Sequence, residues 1–150
     1  MIRLSRLTDY AVTLLTQMAS GDRALWTAAE LAEKSCLPLP TVSKILKQLA
    51  KAHVIEAHRG ATGGYHLAQP ANAVSVASII EAMDGPIAIT DCSEGSDQDC
   101  RIQSLCPMNG GWNKVNQAVR GALVTVSLAD MIAAPGANKP ENMFLATASQ

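Results

Sequence analysis

Apolar residues recur three and four positions apart along most of this chain, and the places where that spacing breaks divide it into elements. Over residues 8–20, Ala11, Leu14, Leu15, Met18 and Ala19 form one stripe, with Thr8 placed as the N-cap and Gly21 as the stop. Thr27 opens a short second helix ending at Lys34, and Glu30 three residues on completes a capping box. A tight turn over 35–38 leads into a third helix, from near Pro40 to about Ala52. It buries Val42, Ile45, Leu46 and Leu49 and turns Ser43, Lys44, Lys47 and Lys51 to other faces. The period then falls to two. Residues 54–58 and 65–67 read as strands around Arg59-Gly60-Ala61-Thr62-Gly63-Gly64, a turn whose glycines can take positive φ. Helical spacing returns over 75–83, is stopped by Asp84-Gly85-Pro86, and resumes near Gly110. There Trp112, Val115, Val119 and Ala122 make a seam able to pack on a copy of itself. Ser127 with Asp130 caps a last helical turn to about Ala133.

This order predicts a mainly α protein with a small β-hairpin wing: a winged helix-turn-helix domain plus a long dimerisation helix. The expected division is a DNA-binding domain over 1–85, a cysteine-containing loop over 86–109, the dimerisation helix region over 110–134 and a flexible tail over 135–150. A short helix, a tight turn and a lysine-bearing second helix outline the reader, and a basic-tipped hairpin directly after them is a wing. Thr41, Ser43 and Lys44 are placed to read base edges, Lys47 to meet phosphate, and Arg59 to clasp a phosphate or enter the minor groove. The net charge of −1 conceals a division that supports this assignment. Residues 1–66 carry eight Lys/Arg against five Asp/Glu, and residues 67–150 four against eight. The basic half is the one that would meet double-stranded DNA. The 150 residues, 48% of them hydrophobic, suffice for a core, and no run approaches the ~20 apolar residues of a membrane span. The expected location is cytoplasmic. No nucleophile–base pairing or phosphate-cradling loop marks an enzyme.

Candidate chemistry lies in Cys92, Cys100 and Cys106, separated by seven and then five residues in an acidic, turn-rich loop. In a reducing compartment cysteines serve as metal ligands or redox groups more often than as bridges. An iron-sulfur cluster, a zinc ion and free thiols that oxidise under stress are all compatible with the three sulfurs. A closed zinc set of three Cys and one His is incomplete locally, because no histidine follows His66. Cys36, in the turn between the reader helices, reads as a small buried hydrophobe.

Arg3-Leu4, Leu7-Thr8-Asp9-Tyr10-Ala11, the wing from Arg59 through Gly64 with Tyr65-His66-Leu67-Ala68, the three cysteines, Trp112 and Ser127-Leu128-Ala129-Asp130 together span residues 1 to about 133. In these the chain resembles the iron-sulfur-sensing winged-helix transcription regulators of the IscR and NsrR type, and most nearly the branch that regulates SUF cluster-assembly operons. The resemblance implies a homodimer on a palindromic operator; in an electron carrier the basic wing would have no purpose. It also implies one 2Fe-2S or 4Fe-4S cluster per subunit, held by Cys92, Cys100 and Cys106. Two departures stand out: the family commonly places five residues between its first two cysteines, and the histidine some members carry three residues after the third is Asn109 here. Asp9 leads as fourth ligand, since the matching Asp of the nitric-oxide-sensing relatives reaches the cluster from the partner subunit. Asn109, Asp91, Glu94, Asp97, Asp99 and the wing-region histidines are the alternatives. The implied function is cluster-dependent repression of SUF/ISC-type assembly genes; a nitric-oxide- or iron-responsive repressor with other targets, and an iron-sulfur carrier, are the rival readings.

Overall fold

Helix α1 (Arg6–Ser20) is followed by α2 (Ala28–Ser35), α3 (Leu39–Lys51), the hairpin β1 (Ile55–His58) and β2 (Gly64–Leu67), then α4 (Val76–Asp84), α5 (Gly111–Thr125) and α6 (Leu128–Ile132). The computed structural model describes residues 3–132, apart from 22, 94, 97–104 and 109. The expected tail over 135–150 therefore lies outside the described residues.

Local side chains account for most helix starts. The Thr27 hydroxyl accepts from the Glu30 amide while the Glu30 carboxylate accepts from the Thr27 amide, a complete capping box. Ser75 caps α4 by accepting from Ser78 N–H, and Ser127 and Asp130 make the same reciprocal pair ahead of α6. The start of α1 differs from expectation. Its N-cap is Ser5, whose Oγ accepts from the Thr8 amide at 3.1 Å, and Thr8 itself is fully buried. A hydroxyl three positions inside a helix faces back to the cap, so Thr8 bonds Ser5 Oγ at 3.0 Å instead of capping. The Asp84 carboxylate accepts from Ser5 N–H at 3.3 Å, which joins the end of α4 to the entrance of α1.

Leu14, Leu15, Leu31, Val42, Ile45, Leu46, Leu49, Ile79 and Leu128 have no exposed surface and form one aliphatic core. Its members come from α1, α2, α3, α4 and α6. The last of these closes the fold: Val76 N–H donates to Val126 O at 2.9 Å and Leu128 N–H to Val74 O at 2.8 Å, so the chain returns to the core directly after α5.

The wing is antiparallel, with Ile55 opposite Leu67, Glu56 opposite His66, Ala57 opposite Tyr65 and His58 opposite Gly64. Trp26 adds a one-residue third strand, exchanging both backbone hydrogen bonds with Tyr65. Of the wing glycines only Gly60 takes a positive φ, 121°. Gly63 and Gly64 serve close approach instead: a Cβ on Gly64 would lie 2.9 Å from Trp26 O, and one on Gly63 2.4 Å from His58 O.

Candidate nucleic-acid interface and cysteine loop

The amphipathic α3 decides what the reader presents. With Val42, Ile45, Leu46 and Leu49 turned inward, Lys44, Lys47 and Lys51 are exposed, and Thr41 and Ser43 are half-buried beside them. Pro38 and Pro40 shape the entrance. Pro38 is the N-cap with extended backbone, and no side chain caps the first turn. Arg59 stands exposed at the hairpin tip. Arg23 pairs with Glu30, and Arg120 with Glu81 at 2.8 Å. Lys44, Lys47, Lys51 and Arg59 form no ion pair among the described residues. Cations left without carboxylates along one helix and one hairpin tip suit a polyanion.

The turn before α3 corrects one expectation. Cys36 is exposed and left-handed, φ 55°, ψ 29°, as the residue that ends α2, with its amide donating to Ala32 O and Glu33 O. It is not a buried hydrophobe: the chain turns left-handed at this helix end and leaves the thiol exposed.

The cysteine loop leaves α4 through Gly85, φ 88°, and enters α5 at Gly110, φ 78°. Its first part is anchored by two buried polar residues that the apolar spacing did not single out. Asn116, the buried residue of α5, accepts from Ile89 N–H at 3.1 Å through Oδ1. Ser93 is buried with its Oγ 2.7 Å from Thr90 Oγ1, and its amide donates to Thr90 O. The signal in the sequence was faint: Asn116 and Arg120 sit four apart beside the Trp112–Val115–Val119 seam. This turn holds Cys92 half-buried, 3.3 Å from Thr90 Oγ1.

Cys92 and Cys106 are both free and half-buried. Cys100, Glu94, Asp97, Asp99 and Asn109 lie outside the described residues. Asp91 is exposed in the turn beside Cys92. Asp9 is exposed in the first turn of α1, where the helix dipole favours a carboxylate. Asp9, Cys92 and Cys106 do not gather into one ligand group within the chain. Unpaired thiols on a loop with a fixed root are donors of the kind that iron-sulfur clusters and zinc both take, so the described residues fit a thiolate-held group. The wing histidines His58 and His66 stand apart from this loop, grouped with Glu56.

Along α5 the seam predicted to pack on a copy of itself is uncovered: Trp112 is 39% exposed and Val115 45%, and Ala122 is also exposed. No helix among the described residues is long and apolar enough to cross a membrane.

Comparison with known proteins agrees with this layout. Over 144 residues, 96% of this chain and 91% of the relative, it is 27% identical to Protein aau3 of Rhizobium meliloti (strain 1021). It is 31% identical over 137 residues to the HTH-type transcriptional repressor NsrR of Streptomyces coelicolor, covering 89% of this chain and 90% of that one. The fold is shared with CymR, the global cysteine regulator of B. subtilis, at a TM-score of 0.67 and 23% identity over 89% of this chain and 98% of that one. It is shared also with T. potens IscR, at 0.56 and 22% over 99% and 93%. The model of the Rrf2 family, described as iron-dependent transcriptional regulators, matches residues 4–134, from the entrance of α1 past α6. The chain is thus a transcriptional regulator rather than an enzyme, and it belongs to the Rrf2 family.

Proposed function

We propose that this protein is an iron-sulfur-cluster-dependent repressor of SUF/ISC-type cluster-assembly genes, acting as a homodimer on a palindromic operator. The observation that carries the reading is the pair of free, half-buried thiols on an anchored loop between a DNA reader and a helix with an uncovered apolar face. Cys92, Cys100 and Cys106 would hold the cluster, with Asp9 of the opposite protomer as fourth ligand. When bound, such a group supplies iron whose retention depends on its ligands and on oxidation state. A carboxylate is the weakest donor in that set, which suits sensing better than permanent storage.

The chain's own residues do the rest. Trp112, Val115, Val119 and Ala122 would bury their apolar surface against the partner's α5. Asp9 heads α1, and the Asp84–Ser5 hydrogen bond links that same entrance to the root of the cysteine loop. A tie from Asp9 to the partner's loop would set the distance between the two α3 helices. Operator half-sites lie about 34 Å apart or a multiple of it, so that distance governs affinity. Thr41, Ser43 and Lys44 would then read bases, with Lys47 and Arg59 on the DNA backbone or in the minor groove.

The test is protein purified without oxygen and analysed for iron, sulfide and zinc, as wild type and as Cys92→Ala, Cys100→Ala and Cys106→Ala. Iron and sulfide in the wild type, lost in each variant while helicity is retained, is the expected outcome. Zinc in place of iron, or thiols with no metal, would replace the cluster with one of the other two assignments.

A further inference from the structure

Glu56, His58 and His66 offer one carboxylate oxygen and two imidazole nitrogens that all lie within 4.8 Å of one another on the wing. The hairpin places them together. Residues 56 and 58 are two apart on β1 and so share a face, and the register sets His66 directly opposite Glu56. The rings of His58 and His66 are 4.8 Å apart between centroids and tilted by 37°. Ile55, Ala57, Tyr65 and Leu67 take the alternate positions, and Trp26 holds the outer edge of β2, so the ribbon that carries the donors is braced.

The His66 ring is poorly used by the protein. Its Nδ1 is buried with no hydrogen-bond partner, and its Nε2 lies 3.5 Å from Glu56 Oε2, longer than an ordinary hydrogen bond. An imidazole with neither nitrogen well bonded keeps a lone pair to give. Zinc in a tetrahedral site has Zn–N bonds of about 2.0–2.1 Å, which places its donors about 3.4 Å apart. Glu56 and His58 are exposed and His66 is half-buried, so the two exposed side chains have room to move toward that spacing.

We propose that the wing carries a second, independent metal site, in which Glu56, His58 and His66 bind a divalent imidazole-preferring transition ion such as zinc. Three protein donors leave a coordination position for water. Glu56 gives the empty face a negative charge next to Arg59; a bound dication reverses its sign. Occupancy would therefore strengthen the wing's attraction for phosphate, a consequence that rests on the reading of Arg59 as a DNA contact.

The chain has three histidines, and His53 lies outside this group, so it serves as an internal control. Zinc chloride would be titrated into the full-length apo protein while the histidine ring resonances are followed by NMR. The expectation is that His58 and His66 shift together and saturate while His53 stays in place. Glu56→Gln and His58→Asn alter exposed positions, and each should weaken that response by about tenfold or more without changing the circular dichroism. No response of His58 and His66, or equal responses from all three rings, overturns the site. In a second arm, binding to a labelled mixed-sequence duplex is measured with and without zinc. Tightening in the wild type but not in Glu56→Gln, which keeps every cysteine, supports the coupling to DNA; equal behaviour of the two refutes it. Neither arm needs an iron-sulfur cluster, so a failure here is separate from a failure of the proposed function.

Discussion

Cys36 occupies a backbone conformation that costs an L-residue about 1–2 kcal/mol, at a position where helices most often place glycine. Its thiol offers only a 3.9 Å contact to Glu33 O in return. Cys36→Gly is therefore expected to stabilise the fold by about 1 kcal/mol, less a part returned through the more flexible unfolded chain, and calorimetry should show a raised Tm. Asp84 is the second residue whose surroundings make a measurable difference. Burial works to raise its carboxyl, but the Ser5 and Thr8 side chains and the Ser5 amide outweigh it and hold the group below its ordinary 3.8. The folded chain thus favours the ionised form, and that contribution is complete above 3.8 and is lost as pH falls through the lower folded value. Asp84→Asn should lower the Tm at neutral pH, with the gap to wild type closing on the acid side of 3.8. A gap that stays constant across that range would assign the effect to packing instead.

Among elements, α3 and the wing carry the DNA-binding proposal. Arg59→Ala should weaken binding and lower the slope of log K against log salt by about 1, since one phosphate contact is lost. An unchanged slope places Arg59 off the DNA. These were also the most legible elements: a strict apolar period gave α3 its buried face, and Thr27 and Ser127 announced their helices because an oxygen one turn ahead of an acidic partner has few other uses. What the sequence concealed depends on partners remote along the chain. Ser5 was hidden by Thr8, an equally good capping side chain that tertiary packing claimed for the core. The left-handed turn at Cys36 has no glycine to mark it. Trp26 pairs with Tyr65 across 39 residues, and it takes that pairing to explain why Gly64 admits no side chain. Cys92 and Cys106 stand out in the sequence by residue type alone, whereas Asn116 and Ser93, which fix the loop, look like ordinary polar residues until burial is known.

At the scale of the whole molecule, the core is completed by a residue far from the reader in sequence. Leu128 has no exposed surface and joins the core where α6 packs against α1. Leu128→Ala should cost about 2–5 kcal/mol, read as a lower midpoint in urea, although no DNA-facing residue is touched. Truncation after 85 would remove the same side chain, so the reader is not expected to stand alone as a stable fragment. The hydrogen bond between Val76 and Val126 makes everything between them a closed excursion, latched at its base without a covalent bond. A gene split between α4 and α5 should accordingly yield two polypeptides that find each other: co-expressed, they elute together on gel filtration, and neither is recovered folded when made alone.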